Sequence, residues 1–363
     1  RYIIKQNLEI MAKISKEKHE ETLNELDELF GKGVLEKASD KINVVREWTN
    51  SGSLTLDRAT GGKGIPKGGK TTCVLGKESA GKSTLAQHII AEETKKGGLC
   101  AILDIESSLD LTYASNIGID LNLLHVVNRE KLLKSLGVKD RIVVSAEEWF
   151  DLLCKMLQSN YYEIIVLDSL AALQPMSEIT TGMSGGRIAS IASVLSKAYR
   201  SVSNSLSKSK TGFVYLNQYR INPSGYGNPF IEPGGEAWRY LQDLKIEISK
   251  SLDKDGTEVH GLEVKGKITK SKVCIPYQTF NYYIEFGKGI QRWKEILDLA
   301  IQEGIIDKKG NTYLFKEDKI GVGQKQLEDA MITHPELLQE IEELLLNNKA
   351  VLTEKIEENE SED

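Results

Sequence analysis

The chain has 363 residues, 40% hydrophobic and 28% charged, with a formal net charge of −6. These values fit a water-soluble globular protein with room for one large α/β domain and one or two small ones. No apolar run reaches the length of a membrane span and no signal peptide is visible, so a cytoplasmic location without a membrane partner is expected.

Cys73, Cys100, Cys154 and Cys274 lie far apart without a C-x-x-C pair, and the five histidines show no H-x₃₋₅-H spacing. A disulfide framework or structural zinc site is therefore not expected, and the cysteines read as small core residues. The negative charge is concentrated at one end. Glu354 to Asp363 holds six acids and one lysine, a net of −5 that leaves −1 for the rest. A nearly neutral body with an acidic tail can still bind DNA through a local basic surface.

Residues 1–10 precede Met11 and read as an upstream extension rather than part of the fold. From Glu17 to Phe30, Leu23, Leu26, Leu29 and Phe30 share one helical face, and Gly31-Lys32-Gly33 stops the helix. Val34-Leu35 follows as a short strand candidate. A small amphipathic helix of this kind docks either on its own domain or on a neighbour. The glycine-rich stretch Gly61 to Gly69 leads into the β-prone run Thr71 to Leu75. Next comes Gly76-Lys77-Glu78-Ser79-Ala80-Gly81-Lys82-Ser83, which fits G-x-x-x-x-G-K-[ST], with a helical run from Thr84 behind it. Lys95-Lys96-Gly97-Gly98 ends that helix, the lysines suiting its negative end.

The pattern then predicts strands over residues 99–105, 163–168 and 213–217, alternating with helices over 111–117, 147–158 and 187–202. Such alternation implies a mostly parallel central sheet covered by helices on both faces. Thr180 to Gly186 reads as a flexible loop. Tyr219 to Gly235, with three of the seven prolines, reads as a long irregular loop of the functional kind. After Trp293 the texture is helical, with Ile296, Leu299 and Ala300 on one face and a last helix over residues 335–346.

A strand, a glycine loop and a helix start together make an anion site. Loop N–H groups and the positive end of the helix dipole converge there on phosphate oxygens. The expected ATP-binding stretch runs from Gly76 to Thr84: Lys82 reaches the outer phosphates and the Ser83 hydroxyl takes a position on Mg²⁺. Asp168 ends an apolar strand and is the expected second Mg²⁺ residue, although an aspartate there also suits a helix cap. Glu106, at the same sheet edge, is the candidate for orienting the attacking water, with Asp104 in competition. Gln218 ends a strand just before the long Pro/Gly loop, placed to touch γ-phosphate or water and report nucleotide state.

In this order the pieces resemble the bacterial and phage RecA recombinases over residues 17–350. The likeness is carried by Phe30-Gly31-Lys32-Gly33, Ser51-Gly52-Ser53-Leu54-Thr55-Leu56-Asp57, the phosphate loop, Leu103-Asp104-Ile105-Glu106, Leu109-Asp110 and Tyr113-Ala114. It continues in Asp168-Ser169-Leu170-Ala171-Ala172-Leu173, Asn217-Gln218, Gly227-Asn228-Pro229, Gly234-Gly235 and Lys270-Ser271-Lys272. The resemblance implies an α/β fold: a RecA-type phosphate-loop core, a small N-terminal helix/strand segment and a small α+β C-terminal domain. The implied division is an extension to residue 16, a protomer-docking segment over 17–44 and a core over 45–291. A C-terminal domain over 292–346 and an acidic tail over 347–363 complete it.

The resemblance also implies roles. Glu106 matches the family's water-activating glutamate, Asp168 its magnesium-associated aspartate, and Asp110 and Tyr113 its adenine contacts. Gln218 matches the glutamine that links ATP to the DNA loop. Thr180 to Ile188, with Arg187 and Ile188, corresponds to a first DNA-binding loop. Tyr219 to Gly235, with Arg220, Tyr226, Gly234 and Gly235, corresponds to a second, and Arg200 aligns with a group holding the single strand. Lys270 and Lys272 align with lysines that reach the ATP of the adjacent protomer. The implied activity is a DNA-dependent ATPase using ATP and Mg²⁺. It forms a helical homo-filament on single-stranded DNA and exchanges strands with a homologous duplex, with repressor or loader proteins as further partners. A ring helicase on the same core, or a DNA-coating regulatory scaffold, are the alternatives. Three departures stand out: an insertion over Asn128 to Ala146, Glu236 at a usually neutral polar position, and Lys77 in place of the loop's usual proline.

Overall fold

The computed structural model describes residues 18, 20–32, 47–139, 141–181, 188–221, 230–255 and 258–345. Two compact units divide the chain, Arg1–Arg46 and Glu47–Asp363. In the first, residues 20–30 form helix α1, with Leu23 and Leu26 half-buried and Leu29 and Phe30 exposed. The extension 1–16 and the strand candidate Val34-Leu35 lie outside the described residues, as does the tail from residue 346 onward.

The larger unit opens with β1 (Trp48–Thr49) paired antiparallel to β2 (Ile65–Pro66), with α2 (Leu54–Ala59) between them. Strands and helices then alternate: β3 (Thr71–Gly76), α3 (Lys82–Thr94), β4 (Cys100–Asp104), α4 (Leu111–Asn116) and β5 (Leu124–Val126). After α5 (Arg129–Ser135) and α6 (Ala146–Ser159) come β6 (Ile164–Asp168), α7 (Met176–Thr181), α8 (Ile188–Leu206) and β7 (Gly212–Gln218). β8 (Arg220–Ile221) pairs antiparallel with β9 (Phe230–Ile231), and α9 (Gly235–Leu241) follows. A long hairpin of β10 (Leu244–Asp255) and β11 (Glu258–Ser271) continues into β12 (Thr279–Glu285) and β13 (Gly289–Ile290). The sheet order is β13-β12-β11-β10-β3-β7-β6-β4-β5. It is parallel from β10 through β5 and antiparallel from β10 to β13.

The two-residue period of a strand sorts the core. Val74, Ile102, Val166, Val214 and Ile246 face α3 on one side of the sheet, joined by Leu85, Ile89 and Ile90. Leu75, Leu103, Leu167, Phe213 and Tyr215 face the other side, packed with Trp149, Phe150, Leu195 and Trp238 from α6, α8 and α9. Both faces are apolar, which is why these strands read as continuous hydrophobic runs.

Several segments differ from the sequence reading. Thr180 and Thr181 belong to α7 rather than to a loop, because the Pro175 carbonyl accepts from the Glu178 and Ile179 amides and starts a helix; residues 182–187 lie outside the described residues. Tyr219 to Gly235 is not structureless, since the β8–β9 pair closes its base and Gly235 starts α9; residues 222–229 lie outside the description. The insertion carries α5, capped by Asn128 through a bond from the Lys131 amide at 2.9 Å, and buries Leu133 and Val144 in the core.

The C-terminal part is not purely helical. Between α10 (Arg292–Gln302) and α11 (Gly323–Thr333) lies an antiparallel sheet of β14 (Ile306–Lys309), β15 (Thr312–Phe315) and β16 (Asp318–Val322). A last helix, α12, covers residues 335–345. Ile296, Ala300, Ile306, Tyr313, Leu327 and Ile341 form its own core, which Leu54 of α2 joins. Among the described residues no helix is long and apolar enough to cross a membrane.

Candidate functional site

Strand register brings four residues to one edge. Gly76 is paired with Gln218 across β3 and β7, and Asp104 with Asp168 across β4 and β6. All four lie at the C-terminal ends of parallel strands, where such sheets bind ligands. Gly81 caps α3 in the left-handed region, with φ 87°, and no side chain bonds the helix start. A Cβ on Gly81 would lie 2.5 Å from Ile284 Cδ1, so the loop lies against β12 as closely as glycine allows. The buried Lys82 ammonium donates to the carbonyls of Lys77 at 2.7 Å and Gly76 at 3.3 Å. Burial holds its pKa below the usual lysine range, against the pull of Asp168 and Glu106.

The Ser83 hydroxyl donates to Asp168 Oδ2 at 2.7 Å. Burial pushes the Asp168 carboxyl up to about 6; Glu106 and Asp104 add to this, while Ser83 and Lys82 oppose it. A hydroxyl in contact with a half-buried carboxylate, beside two more carboxylates and an ammonium, fits a hard divalent cation together with phosphate. The Ser169 hydroxyl donates to Glu106 Oε1. Asp104 is occupied differently: its two oxygens accept from the Ser108 and Leu109 amides, each at 3.1 Å, and brace the turn after β4.

A cavity of about 440 Å³ gathers Lys82, Ser83, Thr84, Glu106, Asp168 and Gln218, with Tyr113 at one side. Glu78, Ser79, Ala80 and Gly81 line it too. Asp110 does not; its Oδ1 accepts from the Thr112 and Tyr113 amides and caps α4, which carries Tyr113. Lys270 and Lys272 also stay away from the cavity. Their ammonium groups donate to the Arg239 and Tyr240 carbonyls at the end of α9, the second at 2.8 Å.

The candidate DNA residues divide. Arg220 is exposed on β8 and donates to the Ala171 carbonyl at 2.9 Å. Gly234 caps α9 at φ 112°, where a Cβ would meet Trp238 at 3.2 Å and Leu170 at 3.4 Å, whereas Gly235 faces open space. Arg220 and Gly234 therefore flank the same turn after β6. Arg200 is exposed on α8 and Ile188 opens that helix; Arg187 and Tyr226 lie outside the described residues.

Residues 17–291 match the RecA N-terminal domain and residues 294–350 the RecA C-terminal domain. The chain belongs to the RecA family. Protein RecA of Enterococcus hirae is 35% identical over 325 residues, covering 89% of this chain and 90% of that protein. Protein RecA of Aquifex pyrophilus is 34% identical over 325 residues, covering 89% of each. Protein RecA of Lactobacillus johnsonii is 33% identical over 354 residues, covering 97% of this chain and 94% of its own. This is a RecA-family recombinase of DNA recombination and repair.

In this RecA-family chain one wall of the cavity escaped sequence reasoning. Leu262 and Ile284, from β11 and β12, and Phe286 and Gly287 just beyond, line it beside the loop. Phe286 is 55% exposed at the site. The only hint was the alternation of Phe280, Tyr282 and Ile284, which marks a half-buried strand but says nothing of what lies across from it.

Proposed function

We propose that this RecA-family recombinase binds ATP and Mg²⁺ in the cavity above β3 and hydrolyses the nucleotide in response to single-stranded DNA. It does so as a cytoplasmic homo-filament that pairs the bound strand with a homologous duplex. The observation that carries this reading is the meeting of the phosphate loop, Asp168, Glu106 and Gln218 in one cavity, with Gln218 two residues from the β8–β9 pair. Backbone amides at the start of α3 and the Lys82 ammonium bind the phosphates. Ser83 and Asp168 hold Mg²⁺, which when bound neutralises charge on the outer phosphates. Glu106, oriented by the Ser169 hydroxyl, positions the attacking water and takes up its proton. The Tyr113 ring offers a face to adenine. On the DNA side, Arg220, Arg187 and Arg200 supply charge, Gly234 and Gly235 admit the backbone, and Tyr226 and Ile188 contact bases.

The test compares Lys82→Ala with Glu106→Gln. Lys82→Ala should lose tight ATP binding, because Lys82 carries charge in the ground state. Glu106→Gln should keep nucleotide binding and filaments on single-stranded DNA while turnover falls about 10²- to 10⁴-fold. Equal loss of nucleotide binding in both variants would refute this division of roles. A wild-type protein whose ATPase ignores single-stranded DNA would remove the reading itself.

A further inference from the structure

Lys77 occupies the second position of the phosphate loop, and its two ends do different things. Its ammonium sits over the Phe230 ring, 4.9 Å from the centroid. Its carbonyl accepts the Lys82 ammonium at 2.7 Å. One residue therefore joins an aromatic ring on β9 to the lysine that binds phosphate. Phe230 is positioned by its surroundings. Its ring centroid lies 6.0 Å from that of Tyr219, whose hydroxyl donates to Glu247 at 2.8 Å. Two residues on, Glu232 accepts from the Lys245 ammonium at 2.9 Å, and Lys245 pairs with Cys73 on the strand leading into the loop. The base of this hairpin is thus tied to the sheet beside the phosphate loop. The Phe230 residue nevertheless remains 38% exposed.

We propose that the Lys77–Phe230 contact is a DNA-sensitive latch on the phosphate loop, with Lys77 as its positioning residue. The inference rests on the reading of an ATP site coupled to single-stranded DNA. Without DNA, Lys77 is anchored on the ring and its carbonyl holds the Lys82 ammonium, which incoming phosphates must draw away. A nucleobase stacking on Phe230 competes for the ring, and base–aromatic stacking is the stronger contact at an exposed site. Once displaced, the Lys77 ammonium turns to the adjacent phosphodiester, and the loop yields Lys82 to the nucleotide more readily.

The test is binding of a fluorescent ATP analogue to the full chain, with and without a single-stranded oligothymidylate. DNA should tighten nucleotide binding by the wild type. Phe230→Leu and Lys77→Met should each tighten DNA-free binding about two- to fivefold, the weight of one exposed ammonium–ring contact, and shrink the DNA effect by that factor. The double variant should do no more than either single one, since all three remove the same contact. Lys77→Arg and Phe230→Tyr preserve the contact and should restore the wild-type response, which general damage to the loop would not allow. Single variants that leave DNA-free affinity unchanged or weaken it, or a double variant whose change is the sum of both, overturn the proposal. A wild type that hydrolyses ATP on DNA but whose nucleotide affinity ignores DNA overturns the latch and leaves the functional reading standing. A wild type with neither nucleotide binding nor turnover overturns both.

Discussion

Glu295, on α10, offers the sharpest test of how the C-terminal domain is held to the core. Its Oε2 accepts from the Ser53 hydroxyl at 2.7 Å and from the Thr55 amide and hydroxyl, each at 2.9 Å. Those donors open α2, so one carboxylate docks α10 on the core. Its Oε1 is buried without a hydrogen-bond partner among the described residues, and the residue is 1% exposed. Burial raises its pKa from the ordinary 4.5 to about 7, against the lowering pull of Thr55, Ser53 and Arg292. The unfolded chain therefore releases this proton near 4.5 and the folded protein near 7. Between those values the folded state binds more protons, so stability falls as pH rises through the window and levels off above it. The whole effect is about 3 kcal/mol, of which about 2 kcal/mol falls between pH values of about 5 and 8. Glu295→Gln removes the titration and keeps an oxygen for Ser53 and Thr55. Urea unfolding at both pH values should show the wild type losing about 2 kcal/mol more than the variant. Other titrating groups, Asp57 among them, are common to both proteins and cancel in the difference. Parallel pH slopes for the two proteins would refute the reasoning.

The other predictions concern a buried ion cluster and the lysines on the hairpin. Lys67, with its pKa raised despite burial by the facing carboxylates, donates to Glu93 at 3.0 Å and Glu163 at 2.9 Å. Lys67→Met should cost about 3 to 5 kcal/mol in unfolding free energy by stranding the buried Glu93, while the folded fraction keeps its ATP affinity; a loss under about 1 kcal/mol would show the cluster is well hydrated. Mixing Lys82→Ala protein with Lys270→Ala/Lys272→Ala protein on single-stranded DNA should restore part of the ATPase that each lacks alone. Mixed filaments that assemble normally yet stay inactive would count against completion of the site by a neighbour.

What was legible from the sequence was local. The phosphate loop is a contiguous motif whose glycines and lysine act within a few residues, and Asp168 and Gln218 end short apolar runs whose length and β-branched or aromatic content suit buried strands. Their meeting follows from parallel pairing, which sets strand ends at one edge without any long-range information. Residue pattern alone left Asp104 in competition with Glu106, because the sequence does not show that Asp104 folds back on the Ser108 and Leu109 amides. The wall of Leu262, Ile284, Phe286 and Gly287 was hidden for another reason: apolar side chains on a strand serve equally as core and as cavity lining. The α+β character of the C-terminal domain came from the family resemblance and not from residue pattern, because β14 mixes one buried isoleucine with an aspartate and two lysines, too few residues to reveal a period of two.

The lysine pair raises the question of whether its present contacts would hold it back from a neighbour's nucleotide. In a single protomer, Lys270 and Lys272 cap the carbonyl end of α9, and Lys272 lies 3.6 Å from Asp243. The Lys272 side chain is 49% exposed, so that ion pair is screened and worth about 0 to 1 kcal/mol. A bond from an ammonium to a carbonyl adds about 1.5 to 3 kcal/mol before solvent screening. Against this stands a nucleotide's outer phosphate, where both partners carry charge and ion-pair attraction is added to the hydrogen bond. Lys270 is further inclined to move, since burial and the adjacent Lys272 both hold its pKa below the usual lysine range and an anion would relieve that strain. If these lysines reach a neighbour's nucleotide as proposed, the cap on α9 is their resting position. Because Gly234 caps α9 and Gly235 opens it, withdrawing the two lysines from its far end would also loosen the helix that carries the two glycines proposed to meet DNA. A nucleotide between protomers would then be felt at the DNA surface through the lysines as well as through Gln218.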